Sequence, residues 1–207
     1  MLQKHSKAVA AFLILFQLSV VAGDVQFRWQ KIAGLKDMER IFPSSVDPYT
    51  VFAWTRAGLQ VTRDNGATFA QLGNAAQQLG TMTALLVNPI KPTTLYAGTL
   101  EKGVFVSENN GASWRALGGP DKGLANLRIY ALVLNPNDPT FTTIFATHSP
   151  QQPGISMSID GGKTWRVFAR DYGAGDLIIS GTTMMFSGAH PAGGTETGFF
   201  RSINTGR

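Results

Sequence analysis

Hydrophobic residues in this chain arrive in runs of three to six, separated by turns rich in Gly, Pro, Asn and Asp, with no sustained 3.6-residue rhythm after the first 23 positions. Runs of that length with that punctuation predict short strands rather than helices. The clearest stretch reads Met82 to Asn88, a Pro89-Ile90-Lys91-Pro92 turn, Leu95 to Gly98, a Gly-bearing loop, Val104 to Val106, an Asn-Gly turn, and Trp114 to Leu117. The same order returns in Ile129 to Leu134, Asn135 to Pro139, Thr143 to Ala146, Ile155 to Met157 and Trp165 to Phe168. Arg40 to Phe42, Val51 to Trp54, Leu59 to Val61 and Phe69 to Leu72 give a further copy. Leu177 to Ile179, Met184 to Phe186 and Gly198 to Arg201 give three strands of a fourth, without the proline-rich turn. The units fall at about 35–73, 80–118, 127–168 and 176–207, and the predicted fold class is all-β, built of four-stranded meanders.

An octet recurs at the turn before each last strand. Its complete copies are Thr62-Arg63-Asp64-Asn65-Gly66-Ala67-Thr68-Phe69, Ser107-Glu108-Asn109-Asn110-Gly111-Ala112-Ser113-Trp114 and Ser158-Ile159-Asp160-Gly161-Gly162-Lys163-Thr164-Trp165. A fourth, Ser202-Ile203-Asn204-Thr205-Gly206-Arg207, stops before its aromatic residue. The aligned glycines Gly66, Gly111, Gly162 and Gly206 are 45, 51 and 44 residues apart, the length of one four-stranded repeat. A tight connection between antiparallel strands needs positive φ, which glycine supplies, and the Asp or Asn two places earlier accepts hydrogen bonds from the turn's own amides. The aromatic that follows buries a large area between neighbouring sheets. Every position of the octet has a structural task.

These octets resemble the Asp-box, or bacterial neuraminidase repeat, Ser/Thr-x-Asp-x-Gly-x-Thr-Trp. The resemblance covers essentially everything after residue 23 and implies a β-propeller of four-stranded blades. The pattern is shared by sialidases, xyloglucan-degrading enzymes, sortilin-family receptors and photosystem II stability and assembly factors. In those families the boxes lie on the face opposite the usual ligand site, so the resemblance gives the boxes of this chain no catalytic role.

The first 23 residues stand apart. Lys4 and Lys7 precede an uncharged apolar run from Ala8 to Ala22, and Val20, Ala22 and Gly23 offer a cleavage site before Asp24. This pattern is that of a secretory signal peptide, so residues 24–207 are expected in the periplasm or outside the cell, with no membrane span left after cleavage. Phe27 to Ala33, within residues 26–33, aligns with the last strands through Trp29 and is expected to act as a closing strand. The broken fourth octet leads to the expectation that the sequence is part of a larger propeller; a four-bladed ring closed by the N-terminal strand is the alternative.

Composition narrows the chemistry. There is no cysteine, which removes disulfides, thiol catalysis and thiolate metal sites. The net charge of +5 becomes +3 without Lys4 and Lys7, and no basic run exists, so nucleic-acid binding has no support.

In propellers of the resembled kind the ligand face consists of the loops between second and third strands and the connections between blades. Here those are Thr55 to Gly58, Leu100 to Gly103, His148 to Gly154, Ala189 to Gly198, Asn74 to Gly80, Gly118 to Asn126 and Arg170 to Asp176. Their candidate ligand-face residues are Arg56, Glu101, Lys102, Asp121, His148, Asp171 and His190. Sialidase chemistry needs an arginine triad, and the resemblance offers only scattered Arg56, Arg128 and Arg170 and a near miss at Arg40-Ile41-Phe42-Pro43. A glycosidase needs two carboxylates across the sugar, for which Glu101, Asp121, Asp171, Asp176 and Glu196 stand in plausible loops with no spacing that selects a pair. His148 and His190 occupy corresponding loops, with exposed loop histidines as the plain reading, and neither a metal site nor a cofactor is expected. Trp54 and Tyr96 are expected in the core. The leading expectation is an exported, non-catalytic binding module for a protein or glycan partner; the alternatives are a fragment of a glycoside hydrolase and an assembly-factor-like protein.

Overall fold

The computed structural model describes residues 20–21, 24–25, 31–32, 35–148, 154–170, 173–189 and 197–202. The rest of the expected signal peptide, most of the expected closing strand, and Asn204 and Gly206 of the last octet lie outside them. The chain forms two compact units, Met1–Leu72 and Gly73–Arg207. No helix among the described residues is long and apolar enough to cross a membrane.

In the first unit β1 (Val20–Val21) pairs antiparallel with β2 (Asp24–Val25). A four-stranded meander follows: β3 (Met38–Pro43), β4 (Val51–Thr55), β5 (Gly58–Thr62) and β6 (Ala70–Gln71). Its middle strands bury Phe52, Ala53, Trp54, Leu59 and Val61. Trp54 is thus a core residue, as its place in the apolar run predicts.

The second unit opens with a one-turn helix, α1 (Ala75–Leu79), in a connection that the sequence pattern treats as a loop. Ala75 and Leu79 are the buried residues of that turn, too short a signal for a helical period to show. Then come β7 (Met82–Val87), β8 (Leu95–Thr99), β9 (Val104–Ser107) and β10 (Arg115–Ala116). A 3₁₀ turn at Pro120–Lys122 leads to β11 (Ile129–Leu134), β12 (Ile144–His148), β13 (Ile155–Ser158) and β14 (Arg166–Ala169). The last sheet has three strands, β15 (Gly173–Ser180), β16 (Thr183–Ala189) and β17 (Thr197–Ser202). Each sheet is antiparallel in chain order, so the 1–2 and 3–4 turns lie at one end and the 2–3 turns and inter-sheet connections at the other. The fourth strands of the first two meanders are only two residues long, and in all three complete meanders the octet's aromatic, Phe69, Trp114 or Trp165, lies in the turn before the strand.

Within the second unit the sheets stack face to face. Ala84, Tyr96, Val104 and Val106 of one sheet meet Ile129, Leu132, Ile144, Ala146 and Trp165 of the next, with Leu117 and Leu124 of the connection sealing the junction. The following junction joins Phe145, Ile155 and Met157 to Leu177 and Met184. Burying Trp165 alone removes roughly 150–250 Å² from water, an upper estimate of about 4–6 kcal/mol. Inner strands add polar links: the Thr83 hydroxyl donates to the Ile129 carbonyl at 2.7 Å and the Thr147 hydroxyl to that of Gly175 at 2.8 Å.

Gly162 carries two constraints at once. Its φ is +87°, and a Cβ built there would stand 2.6 Å from Leu117 Cδ1 of the connection that follows the preceding sheet. Gly181, in the β15–β16 turn, has φ +53° with nothing within 4 Å of such a Cβ. Gly162→Ala is expected to lower unfolding stability by about 2–4 kcal/mol, strain and overpacking acting together, and Gly181→Ala by only about 1 kcal/mol. Equilibrium denaturation of the two variants checks the contrast; equal losses would remove the inter-sheet part of the explanation.

Candidate functional site

The Asp boxes occupy one end of each complete meander. In each complete octet the leading hydroxyl accepts the glycine N–H at 2.8 Å: Thr62 from Gly66, Ser107 from Gly111 and Ser158 from Gly162. The same hydroxyl donates to the next polar residue, Asp64 at 2.7 Å, Asn109 at 2.9 Å and Asp160 at 2.8 Å. That side chain then caps the residue four places on. Asp64 accepts both the amide and the hydroxyl of Thr68, and Asp160 those of Thr164. Asn109 accepts the Ser113 amide but donates its own Nδ2 to the Ser113 oxygen, so a neutral residue keeps the geometry by reversing one bond. Trp114 and Trp165 are buried and Phe69 is half-buried. Ser202 ends β17, opposite Met184, as Ser158 stands opposite Ile144.

The paired turn at the same end is equally saturated. Asp47, Asn88 and Asn135, each before a proline, accept amides two residues on, from Tyr49, Ile90 and Asn137. Asp138 collects bonds from Thr140, Thr142 and Thr143. These bonds set acidity. The Thr68 hydroxyl, the Thr68 amide and the Thr62 hydroxyl hold Asp64 down at about 2. At Asp160 slight burial works upward, but the Thr164 bonds overcome it and bring the carboxyl to about 2. Asp138 goes lower still by the same contest, its threonine donors winning over burial. Carboxylates so occupied are poor acids, bases or ligand contacts.

The opposite end carries the variable residues. Arg56 sits in the β4–β5 hairpin, 3.9 Å from Glu39, and both side chains are largely exposed. Glu101 and Lys102 are exposed in the β8–β9 loop, where the Lys102 ammonium reaches the Gln78 carbonyl at 3.0 Å. Asp121 is exposed in the 3₁₀ turn, and Gly119 makes room for its Oδ1, which a Cβ would meet at 2.7 Å. Asp171 and His190 lie outside the described residues. Among the described residues no group of three or more metal-ligating side chains gathers.

His148 corrects the expectation of an exposed loop histidine. It is the last residue of β12, opposite Ile129, and fully buried. Thr55 and Thr99 hold the same register place, opposite Met38 and Met82, and are also buried. The runs Ala53-Trp54-Thr55, Ala97-Gly98-Thr99 and Ala146-Thr147-His148 contained this signal, which the polar, proline-bearing sequence after His148 obscured. The ring shares a 2.7 Å hydrogen bond with the Ser156 hydroxyl, which also accepts the Ala125 amide at 3.1 Å. Among the described residues no group meets Nδ1 at hydrogen-bond geometry, the Arg128 backbone only standing near the ring. Burial lowers the imidazole pKa to about 4, the nearby backbone of Arg128 offsetting this only in part.

A second feature escaped the sequence pattern. All four first strands change register near this end, between Met38 and Arg40, Met82 and Ala84, Ile129 and Ala131, and Ala174 and Leu177. Such bulges re-aim a side chain. In the first three sheets they present Glu39, Thr83 and Tyr130, and in the last the corresponding residue is Gly175 with Asp176 next to it; Tyr130 is 40% exposed on a strand whose neighbour Ile129 is fully buried.

Stacked four-stranded meanders with this turn chemistry make the chain a β-propeller. No family model matches it. In sequence it is similar to the oligoxyloglucan-reducing end-specific xyloglucanase of Emericella nidulans, 33% identical over 112 residues, which is 51% of this chain and 14% of that protein. In structure it is similar to the GH74 enzyme of Niastella koreensis, with a TM-score of 0.64 at 18% identity over 82% of this chain and 29% of that one. The GH74 xyloglucanase of Xanthomonas campestris gives a TM-score of 0.64 at 19% identity, over 87% and 32%. The chain therefore spans a seventh to a third of the length of these relatives.

The buried histidine makes acid stability predictable. Between its folded value of about 4 and an unfolded value near 6.5, the unfolded state holds more protons, so stability falls as pH drops through that window. The expected loss from pH 7 to pH 4 is about 3 kcal/mol. From about pH 4 to pH 2 protonation of Asp64 and Asp160 lowers stability further. Denaturation at stepped pH checks both stages. His148→Gln, which keeps a hydrogen-bonding group but does not titrate, flattens the first stage and leaves the second.

Proposed function

We propose that the chain belongs to an exported β-propeller that binds a xyloglucan-type polysaccharide at the end opposite its Asp boxes, and that it contributes recognition rather than a complete catalytic pair. The observation that carries this reading is the 33% identity to a xyloglucanase over half of the chain. The chemistry of the second unit supports it. Tyr130 offers an aromatic platform on a neutral sugar ring, and Asp176, one sheet further on, offers an acceptor for sugar hydroxyls. Glu101, Lys102 and Asp121 stand on connections at the same end. Cleavage of a glycosidic bond needs two carboxylates set across the sugar, one of them kept protonated. Among the described residues the carboxyls whose acidity is shifted, Asp47, Asp64, Asp138 and Asp160, are lowered, and they stand in turns at the other end.

Titration calorimetry of the full chain with xyloglucan oligosaccharides is expected to show binding, weakened about tenfold in Tyr130→Ala, as loss of roughly 1–1.5 kcal/mol of aromatic contact implies. No reducing ends appear on incubation. Absence of binding overturns the glycan reading; turnover that disappears in Glu101→Gln or Asp121→Asn overturns the non-catalytic part and leaves an enzyme.

A further inference from the structure

Just past each bulge the first strand returns to its ladder, and the second-strand residue at that place differs from sheet to sheet. Arg40 stands opposite Trp54, Ala84 opposite Gly98 and Ala131 opposite Thr147, and in the last sheet Asp176 and Ser187 hold the same places. Trp54 and Gly98 have no hydroxyl to offer. Thr147 and Ser187 do, and each spends it on the bulged strand: the Ala131 amide donates to the Thr147 oxygen at 2.9 Å and the Asp176 amide to the Ser187 oxygen at 3.1 Å. The two sheets so equipped are the ones that carry Tyr130 and Asp176.

Peptide planes show how much this fixes. A peptide unit is planar, so holding the units on both sides of a residue sets its two backbone dihedrals. On one side of Tyr130, the Ile129 carbonyl accepts the Thr83 hydroxyl at 2.7 Å; on the other, the Ala131 amide donates to Thr147. The unit between Gly175 and Asp176 is likewise held at both ends, its carbonyl by the Thr147 hydroxyl at 2.8 Å and its amide by Ser187. Thr147 is therefore common to both. Its hydroxyl has one proton, which goes to Gly175, and its oxygen accepts from Ala131. The residue is fully buried, so water does not replace either bond. A link between sheets alone requires a single bond, which is how Thr83 joins β7 to β11; Thr147 adds a second bond, to the bulged strand of its own sheet.

Resting on the saccharide reading of this end, we infer that Thr147 is a positioning residue: its hydroxyl locks the backbone at Tyr130 to the backbone at Asp176, so that the aromatic ring and the carboxylate are presented as one preformed subsite for a neutral sugar. Tyr130 and Asp176 meet the ligand, and Thr147 acts through them. The gain is preorganisation, because a site that must be ordered by its ligand gives up affinity in ordering it.

Amide hydrogen exchange of the full chain, paired with calorimetry against xyloglucan oligosaccharides, tests this. Thr147→Val puts a methyl of similar size in place of the hydroxyl. It is expected to speed exchange at least about tenfold at Ala131 and also at Asp176, whose amide bonds Ser187 rather than Thr147, while the Gly162 amide at the box end keeps its rate. The same variant binds oligosaccharide about tenfold more weakly, and Thr147→Ser, which restores the hydroxyl, brings both readouts to within about twofold of wild type. Equal acceleration at Ala131, Asp176 and Gly162 marks a general loss of stability and overturns the inference. So does acceleration confined to Ala131, binding that Thr147→Val leaves unchanged, or failure of Thr147→Ser to restore it. A wild-type chain that binds no oligosaccharide overturns the saccharide reading separately, and exchange at Asp176 then decides by itself whether Thr147 couples the two bulges.

Discussion

One hydroxyl per sheet holds this architecture together. Thr62, Ser107 and Ser158 each accept the amide of a glycine four residues on, at 2.8 Å in every case, and each donates its own proton to the Asp or Asn between. Without that acceptor a buried amide is left unpaired, at about 1–3 kcal/mol. The bond also fixes a pair of left-handed residues, Asn65-Gly66, Asn110-Gly111 and Gly161-Gly162, with nearly the same φ values. Held in that shape, the first residue of each pair turns its amide to the 1–2 turn of its own sheet, on Tyr49, Thr93 and Thr142. A single side chain so ties both turns at one end, and the other end is free to vary in length and charge.

The same turn also makes the junction between sheets. The aromatic that closes the octet lies over the preceding connection: the Trp165 amide donates to the Lys122 carbonyl at 2.8 Å, and its indole donates to the Gly162 carbonyl at 3.0 Å. Gly118 accommodates the indole, since a Cβ there would stand 2.8 Å from the ring. Local turn chemistry and inter-sheet packing are therefore one constraint. It also explains why the octet tolerates Asn109 for Asp: the demand is for an acceptor of the right reach, and charge is incidental to it.

What was legible in the sequence follows from this. Turn residues act on neighbours within five positions, so octets, strand order and sheet number appear in the letters themselves, as do the core places of Trp54 and Tyr96. Meaning that depends on cross-strand register was hidden. His148 looks like a loop residue because Ser149 to Pro153 follow it, yet its place is that of Thr55 and Thr99. Tyr130 looks like one more apolar strand residue, because a bulge is invisible until the partner strand is known.

Register also separates stability from recognition. At the box end Asp47, Asp64, Asp138 and Asp160 are saturated by amides and hydroxyls, and proteins gain nothing from aiming such groups at a ligand. At the opposite end the bulged positions of successive first strands are free to differ, and they do: Glu39, Thr83, Tyr130 and Gly175 share a structural address but no chemistry. Thr83 is spent on the Ile129 carbonyl, so it links sheets rather than meeting solvent. Tyr130 and Asp176 are exposed, so under the proposed reading they are the aromatic face and the carboxylate that a sugar ring would meet. The repeat supplies similar frames, and the proposed recognition draws on what each frame is allowed to change.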